Sequence, residues 1–494
     1  MLKGFDIDLY FEKQSEQIKK RIDEFGGKLY LEFGGKLFDD YHASRVLPGF
    51  KPDSKLQMLL KIRDSVELVV VINAGDIESN KIRRDLGISY DSDVLRLIDE
   101  FRSVGLYVGS VVIAQYSGQA VASVFREKLR MHGVKVFVHY PIEGYPYNVS
   151  KIVSEDGFGK NDYISTDRPL VVMTAPGPGS GKMATCLSQL YHDNLRGIKA
   201  GYAKFETFPI WNIPLKHPIN LAYEAATADL NDVNMIDPYH LEAYGEKTVN
   251  YNRDVEVFPV LNMIFEKIEG KSPYKSPTDM GVNMAGYCIS DDEVCCDASK
   301  AEIIRRYFAA LCDARNDKNL EEAVIKIESL MNQAGISVDY RAVVKKAIEK
   351  SEMTNNQPAV AIELQNGQIV TGKTSELLGA SSAALLNALK NISGQADEIT
   401  LIDPKIIEPI QDLKTRFLGN RNPRLHTDEV LIALSMSAAT SQNAALAFAA
   451  LPALGGCEAH STVMLSQVDR DVYRRLGINL TCEPHYERKQ LYHK

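Results

Sequence analysis

The chain has 494 residues, of which 45% are hydrophobic and 25% charged; that length implies two to four domains, and that composition excludes a disordered, fibrous or membrane-embedded protein. Lys plus Arg number 57 against 65 Asp plus Glu, a net charge of -8, so the summed field repels nucleic-acid phosphates and anionic lipid, and the densest basic stretch, Arg305 to Arg306, is too short to reverse it. Seven cysteines, odd and sparse, suit reduced thiols better than a disulfide framework; the start lacks the basic-then-apolar run of a signal peptide, and no stretch of about 18 apolar residues occurs. A cytoplasmic protein without nucleic-acid or membrane partners is therefore expected. A net acidic chain with a helical segment is also compatible with a homo-oligomer.

Residues 28 to about 210 alternate short apolar runs with amphipathic stretches. KLYLEF (28 to 33), ELVVVIN (67 to 73), VGSVVIAQY (108 to 116), VKVFVHY (134 to 140) and PLVVMTA (169 to 175) are continuously apolar and read as buried strands. Residues 91 to 103 place Val94, Leu95, Leu97, Ile98 and Phe101 on one helical stripe behind a capping Asp. This rhythm predicts a mostly parallel, three-layer α/β domain, with ligands at the carboxyl ends of its strands.

Residues 211 to 298 have weak periodicity and are expected to be loops and short helices over that domain, which is taken as 1–298. Three helices follow in a helical domain, 299–355, with Gly335 as a C-cap of the second. A C-terminal α/β domain, 356–494, opens with two alternating strands about Asn366-Gly367, a strong hairpin signal. A helix (ASSAALLNALKNI), a strand at 398 to 403, an Ala-rich helical stretch around 428 to 451, STVMLS, a further helix and INLTCE complete it.

The chemistry-bearing segment is TAPGPGSGKMATC, a glycine-rich turn between an apolar strand and an amphipathic helix. Gly177, Gly179 and Gly181 let backbone N–H groups converge on an anion, the helix N-terminus adds partial positive charge, and Lys182 reaches an outer phosphate. The match to G-x-x-x-x-G-K-[ST] is incomplete: Pro176 replaces the first Gly, and Met183 stands where a hydroxyl would hold Mg²⁺, with Ser180 and Thr185 as the nearby hydroxyls. GPGSGK resembles the loop of adenylate-kinase-like P-loop kinases over six residues. The alternative is a glycine-rich turn that binds nothing.

A nucleoside triphosphate with Mg²⁺ would need a carboxylate at a neighbouring strand end. Glu206, at the close of the next apolar run, is the first candidate. The stretch from Asp229 to Asp254 supplies others, and Asp237, before Pro238, is expected at a strand or turn end facing the site; individually such residues are more often turn formers. Gly34-Gly35-Lys36, with His42 and Arg45 beyond, reads more readily as a strand exit than as a second anion contact. Cys457, His460, Cys482 and His485 form two C-x-x-H pairs that could hold zinc, but ordinary thiols and surface histidines are preferred because the spacing is unusual. No H-E-x-x-H, G-x-S-x-G or G-x-G-x-x-G occurs.

The runs TAPGPGSGKMATC, FETFPIWN, ATADLNDVNMIDP, YGEKTVNYNRD and EAHST resemble a bacterial protein family, domain of unknown function 1846, also uncharacterised protein family 0371, over nearly the whole chain. The resemblance implies an α/β region, a helical region and a further α/β region. It carries over no catalytic residues. The leading expectation is an Mg²⁺-dependent phosphotransferase or nucleotide hydrolase that binds a small phosphorylated ligand through Gly177, Gly179, Ser180, Gly181, Lys182 and Thr185. In it Lys182 and Asp237 act in catalysis, and Glu206 or Asp237 holds the metal. A non-catalytic nucleotide or metabolite sensor, and a metal-dependent hydrolase in the C-terminal domain, are the alternatives.

Overall fold

The structure is a computed structural model that describes residues 3–35, 37–83, 86–317 and 320–487. It divides into two compact units, residues 2–227 with 231–299, and residues 300–494 with 228–230.

The first unit is built on seven parallel strands: β1 (Leu29–Phe33), β2 (Val66–Asn73), β3 (Tyr107–Ala114), β4 (Lys135–Val138), β5 (Leu170–Thr174), β6 (Gly201–Phe205) and β7 (Gly281–Val282). Their order is β7-β6-β1-β5-β2-β3-β4, and every pairing is parallel. The five runs expected as strands are β1 to β5, and they are continuously apolar because helices cover both faces. On one face Tyr30, Met173 and Tyr202 pack against Cys186, Leu187 and Leu190 of the helix Lys182–Leu195.

The strand order sets the site. From β2 the chain continues to β3 and β4 at one edge of the sheet, whereas from β5 it passes over β1 to β6 and β7 at the other. The neighbours β5 and β2 thus send the chain in opposite directions, which opens a crevice at their carboxyl ends.

Two local expectations change. The helix Tyr90–Ser103 buries Val94, Leu97, Ile98 and Phe101, but its N-cap is Ser89; the buried Asp93 instead pairs with Arg83 (2.7 Å) and Arg96 (2.8 Å). Between 211 and 298 the chain forms an antiparallel pair, Asn234–Ile236 with Val249–Tyr251, and an 18-residue helix, Asn252–Glu269, that contains Pro259. An interior proline removes one helical hydrogen bond and disfavours the helix by ~3 kcal/mol. Burial of Phe258, Leu261, Ile264, Phe265 and Ile268 offsets it, at about 1.5–3 kcal/mol for each large side chain.

The second unit carries the helices Glu321–Ala334, ended by Gly335 at φ 65°, and Ala342–Glu352, with a four-stranded sheet. Its strands are β8 (Ala359–Glu363), β9 (Ile369–Lys373), β10 (Glu458–Ser461) and β11 (Asn479–Cys482), in the order β9-β8-β10-β11. The hairpin β8–β9 turns as expected about Asn366-Gly367, with Gly367 at φ 81°. The strand expected at 398 to 403 is absent: Leu401 and Ile402 are buried in the core cluster of this unit, but Asp403 caps the helix Pro404–Asp412. An apolar run of that length does not by itself distinguish a strand from a packed loop.

Candidate site in the crevice between β5 and β2

A cleft of about 670 Å³ opens at the switch between β5 and β2. Its walls come from the ends of β1 (Glu32), β2 (Asn73, Gly75) and β3 (Gln115, Ser117, Gln119), from Pro141 and Tyr145, and from the turn and helix start 179–184.

The turn is organised by two left-handed glycines, Gly179 at φ 74° and Gly181 at φ 96°, the second being the N-cap of Lys182–Leu195. At Gly177 close packing decides, since a Cβ there would lie 2.3 Å from the Tyr90 hydroxyl. Among the described residues, no acceptor receives the amides of Gly179 to Ala184, the open donors expected at a helix start. The Ser180 hydroxyl is 1% exposed and likewise has no partner. Lys182 is half-buried and forms no ion pair among the described residues. Burial lowers its pKa, Glu32 opposes that shift, and the Lys204 charge adds to it.

Glu32 comes from inside the buried run of β1, where it is 8% exposed and accepts a hydrogen bond from Tyr202 Oη on Oε2 at 2.7 Å. Its Cα is in register with Lys204 on β6. Asn73 braces the turn, with Oδ1 capping Gly75 N (2.7 Å) and Nδ2 donating to the Gly179 carbonyl (3.4 Å). Gln119 braces the opposite wall, accepting from Ser117 N (2.8 Å) and donating to the Gln115 carbonyl (3.2 Å).

The remaining residues expected at the site are placed elsewhere or engaged within the fold. Thr185 Oγ1 donates to the Gly181 carbonyl at 3.0 Å and lines a small cavity behind the turn. Glu206, just beyond β6, is buried and paired with Lys204 at 2.9 Å; Lys204 also contacts Asp254 and Tyr251. Burial alone would lower the Lys204 pKa, but Asp254 and Glu206 outweigh it and hold the ammonium well above its ordinary range. Burial pushes the Glu206 carboxyl up to about 7, against the pull of Lys204. Its folded pKa thus exceeds its unfolded one, so its contribution to stability is full below about pH 4.3 and declines as pH rises toward 7. The urea-unfolding stability of wild type relative to Glu206→Gln should therefore fall over that interval; a difference independent of pH would contradict this placement.

Asp237 does sit at a strand end, after Asn234–Ile236, and is fully buried. Its Oδ1 accepts from the amides of Tyr239 and His240 (both 3.0 Å), and its Oδ2 from Thr278 N (3.1 Å) and Oγ1 (2.6 Å). These four bonds cap the helix Pro238–Tyr244 and tie it to 278. Asp237→Ala should lower stability by about 1–2 kcal/mol in urea unfolding. Of the neighbouring candidates, Asp232 pairs with Arg253 at 2.8 Å and His240 meets Ser276 at 2.9 Å. Gly34 donates to the Phe205 carbonyl, and Lys36 lies outside the described residues.

Cys457, His460 and Cys482 are buried on or beside β10 and β11, and His460 Nδ1 meets Thr481 Oγ1 at 2.9 Å. They do not converge as metal donors; among the described residues the one set of three that does is His217, Asp292 and Cys296, within 4.8 Å of one another. His217 Nδ1 accepts the Ile219 amide at 3.2 Å, which assigns the ring proton to Nε2 facing Asp292 at 3.0 Å. That contact is a hydrogen bond rather than a vacant ligand position.

The model of domain of unknown function DUF1846, N-terminal, matches residues 3–335, and that of its C-terminal domain residues 339–492. The chain belongs to the DUF1846 family. Its relatives include UPF0371 proteins of Streptococcus thermophilus LMG 18311, 57% identical over 99% of both chains, and of Streptococcus pneumoniae CGSP14, 56% identical over 99% of both. In this DUF1846 protein no helix among the described residues is long and apolar enough to cross a membrane.

Sequence reasoning did not select Glu32, Asn73 and Gln115, which line the cleft, or Lys204, which stands in register with Glu32 on β6. Glu32 and Lys204 were detectable as charges interrupting otherwise apolar strands, and Asn73 and Gln115 as polar side chains closing runs already read as strands.

Proposed function

We propose that this DUF1846 protein binds a phosphorylated small molecule in the β5–β2 crevice, with the phosphate on the 179–182 turn, and acts on it there. The observation that carries this reading is the buried Ser180 hydroxyl, without a partner among the described residues, beside a Lys182 without an ion pair among them, at a helix start whose amides they leave open. A buried polar group without a partner costs about 1–3 kcal/mol, and an anion on the turn would recover that cost. Lys182 counters the phosphate charge. Gly179, Ser180 and Gly181 supply backbone donors, and Gly177 allows the turn to pack against Tyr90. Glu32, held through Oε2 by Tyr202, leaves its other oxygen to take up or return a substrate proton. This gives the acid–base part to Glu32 rather than to Asp237.

Glu206 and Asp237 do not suit a metal accompanying the phosphate, since one is paired with a buried ammonium and the other accepts four hydrogen bonds. Among the described lining residues Glu32 is the carboxylate that could accept Mg²⁺, and with the metal held there it would not also serve as the acid–base group.

The test is calorimetric titration of the full chain with phosphate compounds, with and without Mg²⁺, followed by analysis of the products. Ser180→Ala should weaken binding about tenfold, the loss of one charge-assisted hydrogen bond. Equal affinity in wild type and variant would contradict the site. Binding without turnover would leave the ligand part of the reading and remove the chemical part. Because burial lowers the Lys182 pKa, affinity should also fall on the alkaline side at a lower pH than an ordinary lysine dictates. Lys182→Arg should move that fall to higher pH.

A further inference from the structure

The cleft contains more unengaged polar groups than a bare phosphate uses. Among its described lining residues only Glu32 and Lys182 are charged, and their formal charges cancel. A phosphate monoester carries about -2 at neutral pH, which one ammonium and a helix N-terminus can offset. The tail of a nucleoside triphosphate carries considerably more charge, beside a carboxylate that repels it.

The walls away from the turn are built of amides and hydroxyls. Asn73 and Gln119 hold the loops, as described above. The Gln115 carboxamide and the Ser117 hydroxyl, by contrast, make no hydrogen bond among the described residues. Gln115 holds a left-handed backbone at φ 57°, which Gly or Asn would adopt more readily, yet a long amide side chain stands there at the mouth of the cleft. Among the described lining residues, apolar contact is limited to Pro141, Tyr145, Met183 and Ala184. A nucleobase favours a slot with two apolar faces, whereas a free amide, a hydroxyl and a carboxylate suit the donor-and-acceptor hydroxyls of a polyol.

We infer that the ligand is a phosphate monoester of a polyhydroxy compound, a sugar phosphate rather than a nucleotide. Gln115, Ser117 and Glu32 read its hydroxyls, and this assignment rests on the phosphate site proposed above. Gln115 and Glu32 act as specificity-determining residues, and the turn supplies the phosphate affinity common to all such esters.

The experiment is calorimetry on the full chain with inorganic phosphate, with triose, pentose and hexose phosphates, with the unphosphorylated hexose, and with ATP in the presence and absence of Mg²⁺. At least one sugar phosphate should bind about tenfold or more tightly than inorganic phosphate, the gain from two neutral hydrogen bonds, and ATP should not exceed inorganic phosphate. Gln115→Gly, which suits the left-handed backbone and should preserve the fold, should cancel most of that gain while leaving inorganic phosphate affinity within about twofold. Glu32→Gln should reduce the same gain, and an unchanged thermal unfolding midpoint in each variant identifies the loss as one of recognition.

ATP binding more tightly than every sugar phosphate would overturn the inference. So would sugar phosphates that match inorganic phosphate, or Gln115→Gly weakening both kinds of ligand equally. Each of these results leaves the phosphate site standing. If neither inorganic phosphate nor any ester binds, both the site and the inference fall.

Discussion

Glu458→Ala should destabilise the second unit by about 3–5 kcal/mol, measured by urea unfolding of the full chain. Glu458 opens β10 and accepts Arg305 Nη1 (2.9 Å to each carboxylate oxygen), Arg341 Nη2 (2.7 Å) and Asn479 Nδ2 (2.8 Å). Both guanidiniums are buried, at 8% and 4% exposure. Removing their shared carboxylate leaves positive charge in a dry site, and only Arg305 retains Glu302, at 2.7 Å. By comparison, the exposed pair Arg416–Asp412 (3.2 Å) should change stability by less than about 1 kcal/mol when broken. Burial raises the Glu458 pKa, but the two arginines outweigh it and hold the carboxyl below its ordinary range. The stabilisation is therefore present above the unfolded carboxyl pKa and is lost as pH falls through the depressed folded value. A loss below about 1 kcal/mol in Glu458→Ala, or one that persists unchanged in strong acid, would contradict this account of the network.

Lys182→Ala should weaken binding of a phosphate monoester by about 1.5–3 kcal/mol, or roughly 10- to 150-fold, in calorimetry at neutral pH. Lys182 is the only cation among the described residues lining the cleft, so none of them can replace it. Its loss also leaves Glu32 uncompensated beside the bound anion. Lys182→Arg should restore much of the affinity, because charge rather than a particular donor geometry is what the site lacks in the alanine variant. Asp237→Ala supplies the contrast: it should lower stability and leave phosphate affinity within about twofold, since that carboxylate is engaged in capping.

The sheet was legible because its strands are buried on both faces, and KLYLEF, ELVVVIN and PLVVMTA show this as unbroken apolar runs. The turn at 175–182 was legible as a strand-to-helix turn because its glycines permit the left-handed backbone that such a turn needs, as at Gly179 and Gly181. What escaped was whatever depends on neighbours distant in the chain. Asp237 looked like an active carboxylate because its partner Thr278 lies 41 residues away. Glu206 looked like a metal ligand because Asp254, on the helix Asn252–Glu269, joins it on Lys204 only in the folded protein. The helix Asn252–Glu269 was obscured by Pro259, whose local penalty is offset by burial that no short window displays. Glu32 and Gln115 were passed over for the opposite reason: they lie within runs read for their apolar character, and their place at the cleft comes from the order β1-β5-β2-β3, which sequence patterning does not determine.

The most direct measurement is a crystal structure of the full chain soaked in inorganic phosphate. Phosphate oxygens should lie within hydrogen-bond distance of Ser180 Oγ, Lys182 Nζ and at least two amides of the 179–184 segment. A cleft that stays free of phosphate at saturating concentration, or a Ser180 hydroxyl and Lys182 ammonium satisfied by the protein's own groups, would contradict the proposal that this crevice is a phosphate site.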